Sequence, residues 1–241
     1  KCENNRYTIS GTIPKRKDRY RLYLSIARPD SLFITDLQEK FQTAGIEVKN
    51  SNLGQLPETT WFHYPSDYLG DIVHSLNVRS DNLYAESVLR LLSLSAHEKG
   101  SAEKGIDVIR KYWQNYEADS LELFMYDGSG LARNNKVSAK YLNCVLKETA
   151  RDSLIGECFV QTLPLAGKEG SVATFMKHGE LPGELRLKSG SMSDVHAYAG
   201  YYTTPQNRYA IVVMINNYTC TRAQLKQKIS TLLTQVLSKK E

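Results

Sequence analysis

The sequence predicts an α/β fold in which an antiparallel sheet is packed by the C-terminal helix beside a helical lobe. Three observations predict it. Residues 185–190, 197–203 and 209–216 are strand-like runs, the last two joined by the turn Thr204-Pro205-Gln206-Asn207. Thr221 then caps a helix on which Leu225, Ile229, Leu232, Leu233 and Val236 mark a buried stripe. Between residues 66 and 149 helical patterns follow one another with short breaks. Strands that end in an amphipathic helix imply a sheet whose face that helix covers.

The elements follow in order. Residues 7–13, with Thr8, Ile9, Thr12 and Ile13, read as a strand. A charged turn at residues 14–18 leads to residues 19–28, where Tyr20, Leu22, Leu24 and Ile26 share one face. Together these form a two-stranded ribbon. Pro29-Asp30-Ser31 opens a helix carrying Leu32, Leu37, Phe41 and Ala44, and Gly45 stops it. Residues 50–60 are loop. Helices are expected over 66–76, 82–95 and 102–116, with a break at 99–101. The glycine-rich turn Asp127-Gly128-Ser129-Gly130 follows, and Ser138 caps a helix running to about residue 149.

The chain has 241 residues, 41% hydrophobic and 24% charged, ordinary values for a globular protein with a sizeable core. The net charge of +5 rests partly on two short basic runs, Lys15-Arg16-Lys17 and Lys239-Lys240. Neither is interleaved with aromatic residues, so nucleic-acid binding is not expected. No apolar run approaches the roughly 20 residues that span a bilayer. The chain opens on Lys1 rather than Met, so translation is expected to start upstream, where any export signal would lie. Cys2, Cys144, Cys158 and Cys220 show no Cys-x-x-Cys spacing, which argues against zinc and thioredoxin-type sites. Cys144 and Cys158 are close enough in sequence to pair across a helix end. The five histidines (His63, His74, His97, His178, His196) lack metal-ligand spacing, and neither a metal nor another cofactor is expected.

Two motifs carry chemistry. Ser80-Asp81-Asn82 precedes a helix, and Lys188-Ser189-Gly190-Ser191 lies in a strand. Cleaving an amide through a serine ester needs a nucleophile, a base, a proton donor to the leaving amine and N–H groups aimed at the oxyanion. A lysine on an edge strand keeps the local potential positive and attracts a carboxylate. Period two places Arg186 and Lys188 opposite Leu185 and Leu187, and Gly190 removes a side chain where a ligand would lie. Ser189 and Ser191 offer hydroxyls, and the Ser191 N–H is a candidate oxyanion donor. Ser80 is a candidate proton relay and Asn82 a candidate ligand for lysine and substrate backbone. Taken singly, Ser-Asp-Asn is also an ordinary helix cap and Lys-Ser-Gly a common tripeptide.

Two further stretches lie between these motifs: residues 127–133, Asp-Gly-Ser-Gly-Leu-Ala-Arg, and 163–170, Leu-Pro-Leu-Ala-Gly-Lys-Glu-Gly. With residues 80–86 and Ala199-Gly200-Tyr201, they resemble the class C penicillin-binding proteins, the D-alanyl-D-alanine carboxypeptidase/endopeptidases. The similarity runs from about Tyr7 to Tyr218. It implies a partial β-lactamase/transpeptidase-like (acyl-serine transferase) fold. It also implies a serine acyl-enzyme that acts on peptidoglycan stem peptides outside the cytoplasmic membrane and is acylated by β-lactam antibiotics. By motif, Ser80, Asn82 and Lys188 would be catalytic. Ser189, Gly190 and Ser191 would line the substrate strand, and Arg133 would contact the acidic end of the stem peptide's diamino acid. Residues 1–28 would be the tail of an inserted β-rich domain, and residues 29–241 the C-terminal part of the penicillin-binding domain.

The chain departs from the family pattern in three places. Ser189 stands where threonine is usual, and the hydroxyl survives. His63 and Ser66 match only loosely. No Ser-x-x-Lys precedes Ser80, so the nucleophile segment is missing and these residues alone are expected to be inactive. Ser101-Ala102-Glu103-Lys104 matches literally but follows the second motif, and Ser101 reads as a helix cap. The alternatives are a non-catalytic module that binds peptidoglycan peptides, and a β-lactamase-like protein, which the stretch around Ser129 resembles less.

Overall fold

The computed structural model describes residues 2–3, 6–12, 24–48, 63–96, 99–116, 122–177 and 181–238. The chain divides into two compact units, residues 1–63 and 64–241.

In the first unit, β1 (Cys2–Glu3) pairs antiparallel with β2 (Arg6–Tyr7). The strand expected over 7–13 stops at Tyr7. Residues 8–12 are exposed and without regular structure, and among the described residues β1 and β2 have no third strand or packed helix to support a longer ribbon. Residues 19–23 of the second half of that ribbon lie outside those described, and residues 24–28 form no strand. The basic run at 15–17 and the tail lysines also lie outside the described residues. Helix α1 spans Pro29–Thr43 with proline in its first turn, and Gly45, at φ +74°, ends it as expected.

The second unit is built on a three-stranded antiparallel sheet. β5 (Glu184–Met192), β6 (Val195–Thr203) and β7 (Arg208–Asn216) pair in chain order, with Lys188 opposite Ala199 and Gly190 opposite Ala197. One face buries Leu185, Leu187, Tyr198, Tyr202 and Ile211 against α7 (Arg222–Leu237). There Leu225, Ile229, Leu233 and Leu237 make the buried stripe. Leu232 and Val236 are about half exposed, because each lies about 100° around the helix from its buried successor. Thr221 and Gln224 cap this helix reciprocally.

The opposite face packs Tyr201, Ala199, Ala210 and Val212 on α5 (Ala139–Arg151) and α6 (Gly156–Thr162). The buried Tyr201 hydroxyl donates to the Leu146 carbonyl at 2.7 Å. The short helix α6 was not legible in the apolar pattern. Gly156 presses it onto α5, since a Cβ there would stand 2.8 Å from the Ala150 carbonyl oxygen. No disulfide joins Cys144 on α5 to Cys158 on α6, so that expected bridge does not form.

The rest of the lobe comprises α2 (Leu69–Arg79), α3 (Asn82–Ser95) and α4 (Ala102–Trp113). The helix expected from residue 66 begins at 69, and the Ser66 hydroxyl instead donates to the Asp67 carbonyl. A small pair, β3 (Leu123–Phe124) and β4 (Lys136–Val137), brackets the glycine-rich turn. Among the described residues no helix is long and apolar enough to cross a membrane.

Candidate active site

Ser80 is the hinge between α2 and α3. It ends α2 at φ +56°, a left-handed conformation that serine adopts at a cost, while Asp81 caps α3 by accepting from the Tyr84 N–H at 3.1 Å. Two contacts set where this hinge lies. The buried Asn77 carboxamide donates to the Thr162 hydroxyl at 3.0 Å, tying α2 to α6. Gly170, at φ +51°, lets the 3-10 turn Gly170–Val172 rest on α2, since a Cβ there would lie 2.2 Å from the Val78 carbonyl oxygen.

Lys188 projects from the middle of β5 on the lobe side of the sheet. Its Nζ donates to Ser80 Oγ at 2.9 Å and to the Ser189 carbonyl at 2.7 Å. No carboxylate forms an ion pair with it among the described residues. Burial pushes its ammonium below the ordinary lysine value. A half-buried lysine held by hydroxyl and carbonyl oxygens lies within proton-transfer distance of the serine beside it.

The outer edge of β5 is half covered. Leu185 C=O accepts from Ala166 N–H at 2.8 Å, and Leu187 N–H donates to the Pro164 carbonyl at 3.0 Å. Arg186 also donates to the Leu163 carbonyl at 3.1 Å. Past Leu187 no described residue pairs with this edge. Alternation then leaves the N–H groups of Ser189 and Ser191 facing outward, where an extended peptide can add as a strand. A Cβ on Gly190 would meet nothing nearer than Ala197 Cβ at 4.0 Å, so the protein itself does not require glycine there.

Beyond Gly190 the face opens into a cavity of about 690 Å³ between the 123–137 segment and the ends of β5, β6 and β7. Gly190, Ser191, Met192, Met214 and Arg133 line it, whereas Ser80, Asn82 and Lys188 do not. Its other wall is the glycine-rich turn, fixed from inside by two carboxylates. Glu86 accepts from the Gly128 and Ser129 N–H groups, both at 3.1 Å, and from the Ser129 hydroxyl at 2.8 Å. Asp127 accepts from Gly130, Ala132 and Asn135. Burial pushes both carboxyls up, but these donors outweigh it and hold both below the ordinary range.

The geometry thus joins Ser80, Lys188 and Ser189 by direct bonds, and Gly190, Ser191 and Arg133 around one cavity. Residues 1–239 match the family described as D-Ala-D-Ala carboxypeptidase 3 (S13).

The chain belongs to that family.

It is 25% identical over 240 residues to the D-alanyl-D-alanine carboxypeptidase DacB of Haemophilus influenzae, covering 96% of this chain and 50% of that protein. It is 24% identical over 226 residues to the D-alanyl-D-alanine carboxypeptidase of Actinomadura sp. strain R39, covering 89% of this chain and 42% of that one. Its fold matches the crystal structure of penicillin binding protein 4 (dacB) from Haemophilus influenzae complexed with a β-lactam. The TM-score is 0.71 at 24% identity, over 89% of this chain and 52% of that one. The chain therefore spans about half the length of the relatives it matches. The antiparallel α/β fold expected from the sequence is the one observed.

In this S13 chain Asn82 opens α3 two residues after Ser80. Its side chain is exposed and hydrogen-bonds to no described residue. Arg133 stands exposed on the cavity rim. Ser101 caps α4, its Oγ accepting from the Lys104 N–H at 3.1 Å. Among the described residues no group of His, Cys, Asp and Glu side chains is arranged to hold a metal ion. Two features escaped the sequence reading. Glu86 pins the glycine-rich turn from 42 and 43 positions away, which no local pattern reveals. Ser171 Oγ stands 2.7 Å from Ser189 Oγ, and its one sequence signal is a hydroxyl placed straight after the glycine-rich stretch 163–170.

Proposed function

We propose that this chain forms the wall and substrate edge of a serine-type D-Ala-D-Ala carboxypeptidase/endopeptidase site acting on peptidoglycan stem peptides. The observation that carries the reading is the 2.9 Å contact between Lys188 Nζ and Ser80 Oγ on a desolvated lysine beside an open strand edge. The substrate's C-terminal residues lie along residues 189–191. The Ser189 hydroxyl and the Lys188 charge meet the terminal carboxylate, and the Ser191 N–H faces the oxyanion. Ser80 passes a proton between Lys188 and the reacting atoms, and Asn82 steadies the peptide backbone. Arg133 faces the side chain that enters the cavity.

The attacking serine and its partner lysine come from a segment other than residues 1–241. In this reading residues 1–28 close an inserted β-rich domain, which the β1–β2 pair supports. The site works outside the cytoplasmic membrane, where its substrate is, and β-lactams acylate the complete enzyme. By themselves the 241 residues are a binding scaffold, a reading favoured by Ser101 being spent as a helix cap.

A fluorescent penicillin tests the proposal on the product translated from the natural start codon. Covalent labelling is expected, and Lys188→Ala should slow it by about a hundredfold or more. A complete product that is never labelled would remove the enzymatic reading.

A further inference from the structure

The hydroxyls of Ser171 and Ser189 meet at 2.7 Å, and the proposed function gives Ser171 no role. Ser189 is not β-branched, so no second substituent on Cβ restricts its χ1 as it would in threonine. Ser171, in contrast, is carried by a stiff loop. Glu169 accepts from the Leu165 N–H at 2.8 Å, and the Gly167 N–H donates to the Val172 carbonyl at 3.0 Å. Val172 is fully buried under the sheet, and Gly170 rests against α2. The loop that covers the first half of the β5 edge therefore also delivers a hydroxyl to the first residue of the open half.

We infer that Ser171 is a positioning residue that orients the Ser189 hydroxyl towards the carboxylate of a peptide ligand. Proton counting gives the direction. A hydroxyl has one hydrogen to donate, and a carboxylate only accepts. Once an anion lies on the edge, the Ser189 hydrogen goes to it. The hydrogen between the two serines must then come from Ser171, donated to Ser189 Oγ. That donation polarises Ser189 and strengthens the bond it makes to the anion. Ser171 thus acts through Ser189 and touches no ligand atom. The inference rests on the proposed reading of residues 189–191 as a carboxylate-binding edge.

The test uses the 241-residue chain, with N-acetyl-D-alanyl-D-alanine and its C-terminal amide as probes titrated by NMR. Ser171→Ala should weaken the free acid by about three- to tenfold, one hydrogen bond's worth, and leave the amide unchanged. Ser171→Thr, which keeps the hydroxyl, should bind the acid like the parent. In a Ser189→Ala background, Ser171→Ala should add nothing. If Ser189→Ala weakens the acid but Ser171→Ala does not, the positioning role is wrong while the edge reading stands. If Ser171→Ala weakens acid and amide alike, or adds its full factor to Ser189→Ala, the residue is only structural and the inference falls. If Ser189→Ala changes nothing, or the parent chain shows no saturable binding, the edge reading itself fails and takes this inference with it.

Discussion

The ammonium of Lys188 and the hydroxyl of Ser80 lie 2.9 Å apart although 108 positions separate them in the chain. Burial lowers the lysine's proton affinity, so the folded state disfavours its charged form. The cost is full at low pH, where folded and unfolded chains both carry the proton. It fades as pH rises from the depressed folded value towards 10.5. Lys188→Met keeps the stem and removes the charge. It should leave the melting temperature at pH 7 unchanged or raised, while binding of N-acetyl-D-alanyl-D-alanine is lost. A variant that unfolds, or binds as the parent does, would contradict a lysine kept for ligand rather than for stability.

Two glycines near the site should respond in opposite ways. Gly190 has open space where a Cβ would go, and its strand conformation suits alanine. Gly190→Ala should therefore match or exceed parental stability, by up to about 1 kcal/mol, and still bind the dipeptide more weakly. Gly170 combines φ +51° with backbone 2.2 Å from a would-be Cβ. Gly170→Ala should cost at least about 1 kcal/mol in urea unfolding, because neither Val78 nor the turn can yield without moving Ser80 or Ser171. Equal stability losses for the two would show that Gly190 is needed by the sheet and not by a ligand.

What was legible in the sequence follows the range of the interaction. Helix α3 is legible at Asn82–Ser95 because its cap and apolar pattern are local, and α7 because its Thr221 cap and its apolar stripe are local too. The strands are legible from alternation, which by itself puts Lys188 on the face opposite Leu187. The strand expected over 7–13 does not continue past Tyr7, since β propensity at residues 8–12 has no packed face or further strand among the described residues to act on. That Ser80 meets Lys188 was inferred from motif chemistry, and no pattern within either segment encodes the distance. The left-handed turn at Ser80, the partial cover on β5 and the Ser171–Ser189 contact arise from packing between segments far apart in the chain. A one-dimensional reading sees their residues and not their encounter.

The literal Ser-x-x-Lys at Ser101 should prove inert. Its hydroxyl already serves the helix, accepting from the Lys104 N–H. Ser101→Ala should cost about 1 kcal/mol through loss of the cap. Neither the parent chain nor this variant should bind a fluorescent penicillin covalently, as read by intact-mass spectrometry. A stoichiometric adduct on Ser101 would overturn both the inactivity of the isolated chain and the assignment of the nucleophile to another segment.

His196 should make the second unit acid-sensitive. It sits on β6, 2% exposed, with neither ring nitrogen hydrogen-bonded and Tyr198 edge-on at 4.9 Å. Burial first, then the charges of Lys226 and Arg222 on α7, push its proton affinity below the ordinary value of 6.5. Above that value the ring is neutral in both states and folding loses nothing. As pH falls below it, the unfolded chain takes up a proton that the folded one refuses, so stability drops towards the depressed folded value. His196→Phe fills similar space without a titrating group. The parent's urea midpoint should fall more between pH 7.5 and pH 5 than that of His196→Phe, with the two converging or reversing in acid. Parallel pH profiles would show that the buried ring finds a partner for its proton, and that the back of the sheet beneath Ser191 is not where acid acts.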